Sequence, residues 1–190
     1  MKIVFATNNA HKLAEVSAVL GDGYELVTLK EVGITEDIPE TGETLDENAT
    51  IKARYVYERT GLDCFADDTG LEVEALNGAP GVRSARYATD GHDFAANNRK
   101  LLNEMKDKEN RRARFRTVIS LIRGGVEQQV EGIVNGTIAT AEAGCGGFGY
   151  DPLFIPDGHQ ITFAEMSAEA KNSISHRGRA VAALTELLKR

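Results

Sequence analysis

The chain reads as an α/β protein on a mixed sheet, and three features of its 190 residues carry that reading. Residues 2–6 form a short apolar run followed by apolar positions at helical spacing, which is the strand, loop and helix start of a βαβ unit. Residues 114–122 and 126–132 are strand-like runs on either side of Gly124-Gly125, a hairpin signal that adds antiparallel pairing to the sheet. Near the end, Ala180, Val181, Leu184, Leu187 and Leu188 recur at the spacing of one buried helix face. Hydrophobic residues are 42% and charged residues 27%, the balance of an ordinary globular protein. The length suits one domain over residues 1–190 with a substantial core.

In order, residues 2–6 are a buried strand, and Leu13, Val16 and Leu20 then continue as a helix that Gly21-Asp22-Gly23 stops. The loop Thr7-Asn8-Asn9-Ala10-His11-Lys12 therefore lies between a strand's carboxyl end and a helix's amino end. Free N–H groups and the helix dipole favour an anion there, with Lys12 adding a full charge; a plain cap with a solvated lysine is the alternative. A second extended run, residues 25–29, leads to an acidic loop containing Glu36, Asp37, Pro39, Glu40 and Glu43. Thr44-Leu45-Asp46-Glu47 has the spacing of a capping box and opens a helix that carries Lys52 and ends at Gly61.

The stretch from residue 65 to 87 is the one the rest of the chain serves. Two acids, Asp67 and Asp68, follow the apolar run Cys64-Phe65-Ala66, and Thr69-Gly70 then turns the chain. Successive strand side chains point to opposite faces, so both acids address one ligand only if the strand ends between them; one of the two is expected to do the chemistry. A carboxylate at a sheet's carboxyl edge suits a hard cation such as Mg²⁺. A polar turn is the competing reading of Asp-Asp-Thr-Gly. Residues 71–76 alternate as a separate half-exposed strand, Asn77-Gly78-Ala79-Pro80-Gly81 is a turn, and residues 93–105 are a helix.

Four glycines surround Phe148 and Tyr150 in Gly144-Cys145-Gly146-Gly147-Phe148-Gly149-Tyr150-Asp151, before a strand at residues 153–155. Such a loop approaches a ligand closely, and Phe148 suits stacking on a planar base or packing as a hinge. Lys171, Ser175, His176 and Arg177 lie at the start of the last helix, where the dipole disfavours positive side chains and a functional reason is called for.

The net charge of −7 opposes a general affinity for nucleic acid or anionic membrane, while a local cluster of bases still suits a small anion. Cys64 and Cys145 form neither a disulfide framework nor a zinc spacing, so a reducing cytoplasm is the simplest expectation. The apolar start is too short for a signal peptide or a membrane span. Acids at Glu40, Asp67 and Asp68, bases at Lys12, Lys52, Lys171 and Arg177 and one aromatic glycine loop make an inventory for metal, triphosphate and base. A triphosphate carries about four negative charges, which a cation and several bases would neutralise.

With these residues in view, the chain resembles the inosine triphosphate pyrophosphatase family, which hydrolyses non-canonical purine nucleoside triphosphates. The carriers are Thr7 to Lys12; Glu47-Asn48-Ala49 with Lys52-Ala53; Ala66-Asp67-Asp68-Thr69-Gly70-Leu71; Gly78-Ala79-Pro80-Gly81-Val82 with Ser84-Ala85-Arg86-Tyr87; Gly147 to Pro152; and Ser175-His176-Arg177. In this order they cover essentially the whole chain.

The resemblance implies a two-lobed α/β fold on a long mixed β-sheet flanked by helices, an active site in the cleft between lobes, a homodimer and Mg²⁺. It implies hydrolysis of ITP, dITP, XTP or dXTP to the monophosphate and pyrophosphate. It also implies Asp68 as general base and metal ligand and Glu40 as a second acid near the metal. Thr7, Asn8, Asn9, Ala10, His11 and Lys12 match the phosphate loop, Lys52 a further phosphate-side base, and Thr69 a substrate contact. Phe148, Gly149, Tyr150, Asp151, Lys171, His176 and Arg177 match the groups around base and sugar. Asn8 stands where many relatives have Gly and Thr69 where many have Ser, both mild departures.

Overall fold

A computed structural model describes residues 1–190. Six strands form one sheet in the order β2-β1-β3-β4-β5-β6, and the chain divides into two compact units. The first unit holds residues 1–68, 117–132 and 177–190, and the second holds residues 69–116 and 133–176.

In the first unit, β1 (Lys2–Phe5) pairs in parallel with β2 (Glu25–Val27), with Ile3 opposite Leu26, and with β3 (Cys64–Val73), with Phe5 opposite Phe65. Parallel neighbours require crossovers, which α1 (Ala10–Leu20) and α2 (Leu45–Thr60) supply. Asn9 caps α1 by accepting from the N–H groups of His11 and Lys12, so the loop of the sequence reading is Thr7-Asn8-Asn9 and the next three residues are helical. Thr44 caps α2 through the Glu47 N–H. Gly61 ends α2 in the left-handed region at φ 65°, returning its N–H to the Tyr57 carbonyl.

Strand alternation builds two cores. Phe5, Phe65, Ile119 and Leu121 face Val16 and Leu20 of α1 and Val181 and Leu184 of α5 (His176–Leu188). Val4, Cys64, Ala66 and Ile122 face Ala53 and Val56 of α2. Each such buried Val, Leu, Ile or Phe contributes roughly 1.5–3 kcal/mol. The Cys64 thiol donates to the Ala53 carbonyl, and burial pushes it up to about 12. It is therefore protonated at pH 8 and shielded, whereas Cys145 is exposed. Maleimide at that pH is expected to label Cys145 alone in the native protein and both thiols after denaturation, as intact-mass spectrometry would read.

β4 (Arg112–Arg123) and β5 (Val126–Ile138) flank Gly124-Gly125 in the first unit and run on into the second, where β6 (Phe154–Pro156) lies antiparallel to β5, with Thr137 opposite Ile155. β5 is longer than the expected 126–132. The core of the second unit gathers Leu71, Val73, Phe115, Ile138, Phe154 and Phe163 with Leu101 and Met105 of α3 (Phe94–Met105). Phe115 and Phe154 have ring centroids 4.6 Å apart. A short helix, α4 (Ala168–Ile174), precedes α5.

Two expectations are overturned: Lys171 lies in the last turn of α4 with Ser175 as its C-cap, so only His176 and Arg177 open the last helix, and there is no break after Ala66 and no separate strand at 71–76. β3 runs unbroken from Cys64 to Val73 and ends in a 3₁₀ turn at Glu74–Leu76.

Candidate active site

An unbroken β3 sends its two acids to opposite faces, Asp67 to Lys12 and Arg177 and Asp68 to Lys52. Asp67, on the face of Phe65, meets α1 and α5: its Oδ1 lies 3.1 Å from Lys12 Nζ and its Oδ2 lies 3.3 Å from Arg177 Nε. Arg177 in turn reaches Glu15 on α1. Asp68, on the face of Ala66, meets α2: its Oδ1 is 3.7 Å from Lys52 Nζ. That ammonium also lies 3.0 Å from Glu40 and donates to the Asp67 carbonyl at 2.6 Å. All of these groups lie within the first unit.

The two carboxyls are driven apart electrostatically. Burial alone would raise Asp67, yet Lys12 and Arg177 hold it well below the usual carboxylate range. Burial raises Asp68, and the opposing pull of Lys52 and Lys12 does not cancel it. Among the bases, burial lowers Lys12 despite Asp67. For Lys52 the same penalty is outweighed by Asp68 and Glu40, and for Arg177 by Asp67 and Glu15, so both are raised.

The second unit holds the aromatic loop. Gly147 and Gly149 adopt φ 66° and 61°, the left-handed region that leaves Phe148 between two permissive residues. The Asp151 carboxylate accepts from the Phe148 N–H at 3.1 Å and from Lys171 Nζ at 2.6 Å. Asp151 and Lys171 are buried beneath the loop as an ion pair, with the Lys171 ammonium 5.0 Å from the Phe148 ring centre. Tyr150 is buried and donates to the Ser84 carbonyl, and the Ser84 hydroxyl accepts from the Leu71 N–H, tying the loop to the end of β3. His176 stacks on Phe115 at 4.5 Å.

Thus Thr7, Asn8, Asn9, Ala10, His11, Lys12, Lys52, Glu40, Asp68 and Arg177 belong to the first unit, and Thr69, Phe148, Gly149, Tyr150, Asp151, Lys171 and His176 to the second. Asp67 is more than the idle alternative to Asp68, since it organises two bases. Glu15 was missed in the sequence; its signal was an acid three residues after Lys12, on the same helix face.

No group of three or more His, Cys, Asp and Glu side chains is arranged for a metal. Glu40 and Asp68 nonetheless converge on one ammonium and present hard oxygen donors. A donor set of two carboxylates suits a hard divalent cation.

Fold and site together describe an α/β protein with a buried cluster of acids and bases in one unit and an aromatic glycine loop in the other. The chain belongs to the Ham1 family, whose model matches residues 3–187. It is 55% identical over 188 residues to a dITP/XTP pyrophosphatase of Porphyromonas gingivalis, covering 98% of this chain and 97% of the relative. A dITP/XTP pyrophosphatase of Flavobacterium psychrophilum is 49% identical over 189 residues, covering 100% of both chains. Among solved structures, a HAM1 protein from Coxiella burnetii superposes with a TM-score of 0.91 at 40% identity, covering 100% of this chain and 98% of that one. The Staphylococcus aureus Ham1 protein gives 0.90 at 39% identity with the same coverage.

Proposed function

We propose that this protein hydrolyses non-canonical purine nucleoside triphosphates, dITP, ITP, XTP and dXTP, to the monophosphate and pyrophosphate, removing them from the nucleotide pool. The observation that carries the reading is the pair of acids on opposite faces of β3: Asp67 organises the two cations Lys12 and Arg177, while Asp68 lies beside Lys52 and Glu40. The full-length relatives named dITP/XTP pyrophosphatase supply the substrate class.

In this mechanism Asp68 takes the proton of a water whose oxygen bonds to the α-phosphorus, and the bond from that phosphorus to the bridging oxygen breaks, releasing pyrophosphate. Lys12 and Lys52 neutralise charge on the phosphoryl oxygens, with residues 7–9 placing the chain beside them. Glu40 and Asp68 would hold Mg²⁺, which when bound adds charge neutralisation at the phosphates. Asp67 is the weaker choice of base because two cations already share its carboxylate.

Phe148 stacks on the purine, Gly149 admits close approach, and Thr69 contacts the substrate. Tyr150, Asp151, Lys171 and His176 shape and support that pocket. Arg177 moves in this reading from the base to the phosphate side, because Asp67 and Glu15 occupy its guanidinium. Residues 1–190 act as one functional domain, since β3, β4 and β5 each contribute residues to both units. The resemblance adds a homodimer, the two free cysteines favour a reducing cytoplasm, and no helix is long and apolar enough to cross a membrane. The acidic charge supports a nucleotide as ligand and opposes binding to nucleic acid.

Pyrophosphate release is the test. With Mg²⁺ present, kcat/KM for dITP and XTP is expected to exceed that for ATP by about 10²-fold at least, and by up to about 10⁴-fold if ATP leaves buried polar groups of the site unpaired. Equal rates on ATP, or release of orthophosphate in place of pyrophosphate, would refute the reading.

A further inference from the structure

Two adjacent asparagines on α3 are almost wholly buried, Asn97 at 2% exposure and Asn98 at 3%, and they use their amides differently. Asn97 commits both ends to backbone: its Nδ2 donates to the Ala85 carbonyl at 3.0 Å and its Oδ1 accepts from the Ala88 N–H at 2.8 Å. Asn98 commits one. Its Nδ2 donates to the Gly149 carbonyl at 3.0 Å, while its buried Oδ1 accepts no hydrogen bond. A buried acceptor without a donor costs the fold stability, and an apolar side chain of the same shape avoids that cost. Stability therefore does not explain an asparagine at this position. What its Nδ2 holds does.

The held carbonyl belongs to the residue after Phe148. The flanking glycines leave the backbone on either side of Phe148 free to take many conformations, so the direction of the ring depends on the hydrogen bonds that anchor the backbone around it. Asp151 holds Phe148 at both backbone groups, its carboxylate accepting from the Phe148 N–H and its own N–H donating to the Phe148 carbonyl at 3.2 Å, while from α3 Asn98 holds the next carbonyl, that of Gly149. Phe94, one helical turn before Asn98, lies 6.1 Å from the Phe148 ring, centre to centre, so the same face of α3 supports both ring and carbonyl.

We propose that Asn98 is a positioning residue for base binding: by holding the Gly149 carbonyl it fixes the plane of Phe148, and it sets affinity for the purine without taking part in phosphate chemistry. This inference rests on the reading of Phe148 as the base-stacking residue.

Asn98→Leu tests it, because leucine keeps the shape while removing both the anchor and the unmatched acceptor. A Tm within about 2 °C of the unaltered protein is expected, since the lost bond and the relieved acceptor offset each other. KM for dITP should rise about tenfold with kcat within about twofold, the signature of lost binding that is equal in ground and transition states. Amide hydrogen exchange in peptides covering residues 147–150 should quicken in the variant without nucleotide. A Tm fall of several degrees with KM unchanged would make Asn98 a purely structural residue and overturn the proposal, as would a loss confined to kcat. The exchange measurement separates the two layers. If the unaltered protein fails to hydrolyse dITP, the functional reading falls and the base-binding role falls with it; unchanged exchange at 147–150 refutes the anchor whatever the activity.

Discussion

Asp68→Asn is expected to lower kcat for dITP by about 10³-fold, roughly 4 kcal/mol of barrier, while nucleotide binding in Mg²⁺ persists. The amide keeps the size and planarity of the carboxylate but neither accepts a proton from water nor neutralises a cation. Structural loss should be small, because Asp68 shares Lys52 with Glu40, and the ammonium also keeps its 2.6 Å bond to the Asp67 carbonyl. Single-turnover kinetics with isothermal titration of the same variant separates chemistry from binding. Near-normal kcat in Asp68→Asn, together with collapse in a correctly folded Asp67→Asn, would transfer the role to Asp67.

That assignment could be framed in the sequence but not settled there. The acids, the bases and the aromatic loop were all legible as residue types, and the mixed sheet followed from a βαβ start and one hairpin. The course of β3 was not legible. Asp67-Asp68-Thr69-Gly70 has turn propensity throughout, and a strand continues through it only because Lys12, Arg177 and Lys52 arrive from α1, α5 and α2 to meet the charges. Tertiary pairing of this kind leaves no local pattern. The helix boundary at Ala10 was hidden for a smaller reason: Asn9 caps from inside a run of residues that also suits a loop. Asn98 gave no signal, since one polar residue in an amphipathic helix reads as a surface position until its burial is known.

Arg177 shows the same limit with the larger consequence. The resemblance places Arg177 among the groups around base and sugar, and on that basis its removal would narrow the gap between ITP and ATP. In the fold Arg177 is 2% exposed, and its charge is shared between Asp67 and Glu15. Arg177→Ala leaves two acids in a buried setting with Lys12 alone to balance them. Breaking such a cluster by removing one partner costs about 3–5 kcal/mol. For a chain of this length that lowers Tm by roughly 6–20 °C, which differential scanning calorimetry would register. Lys12, released from a balanced arrangement, is drawn more fully onto Asp67 and away from the phosphates. Turnover of ITP, XTP and ATP is therefore expected to fall by one common factor, with the ratios among them kept. Arg177→Lys should recover little, because one ammonium does not reproduce the fork that reaches both acids. A variant that keeps its Tm and loses ITP activity selectively would return Arg177 to the base.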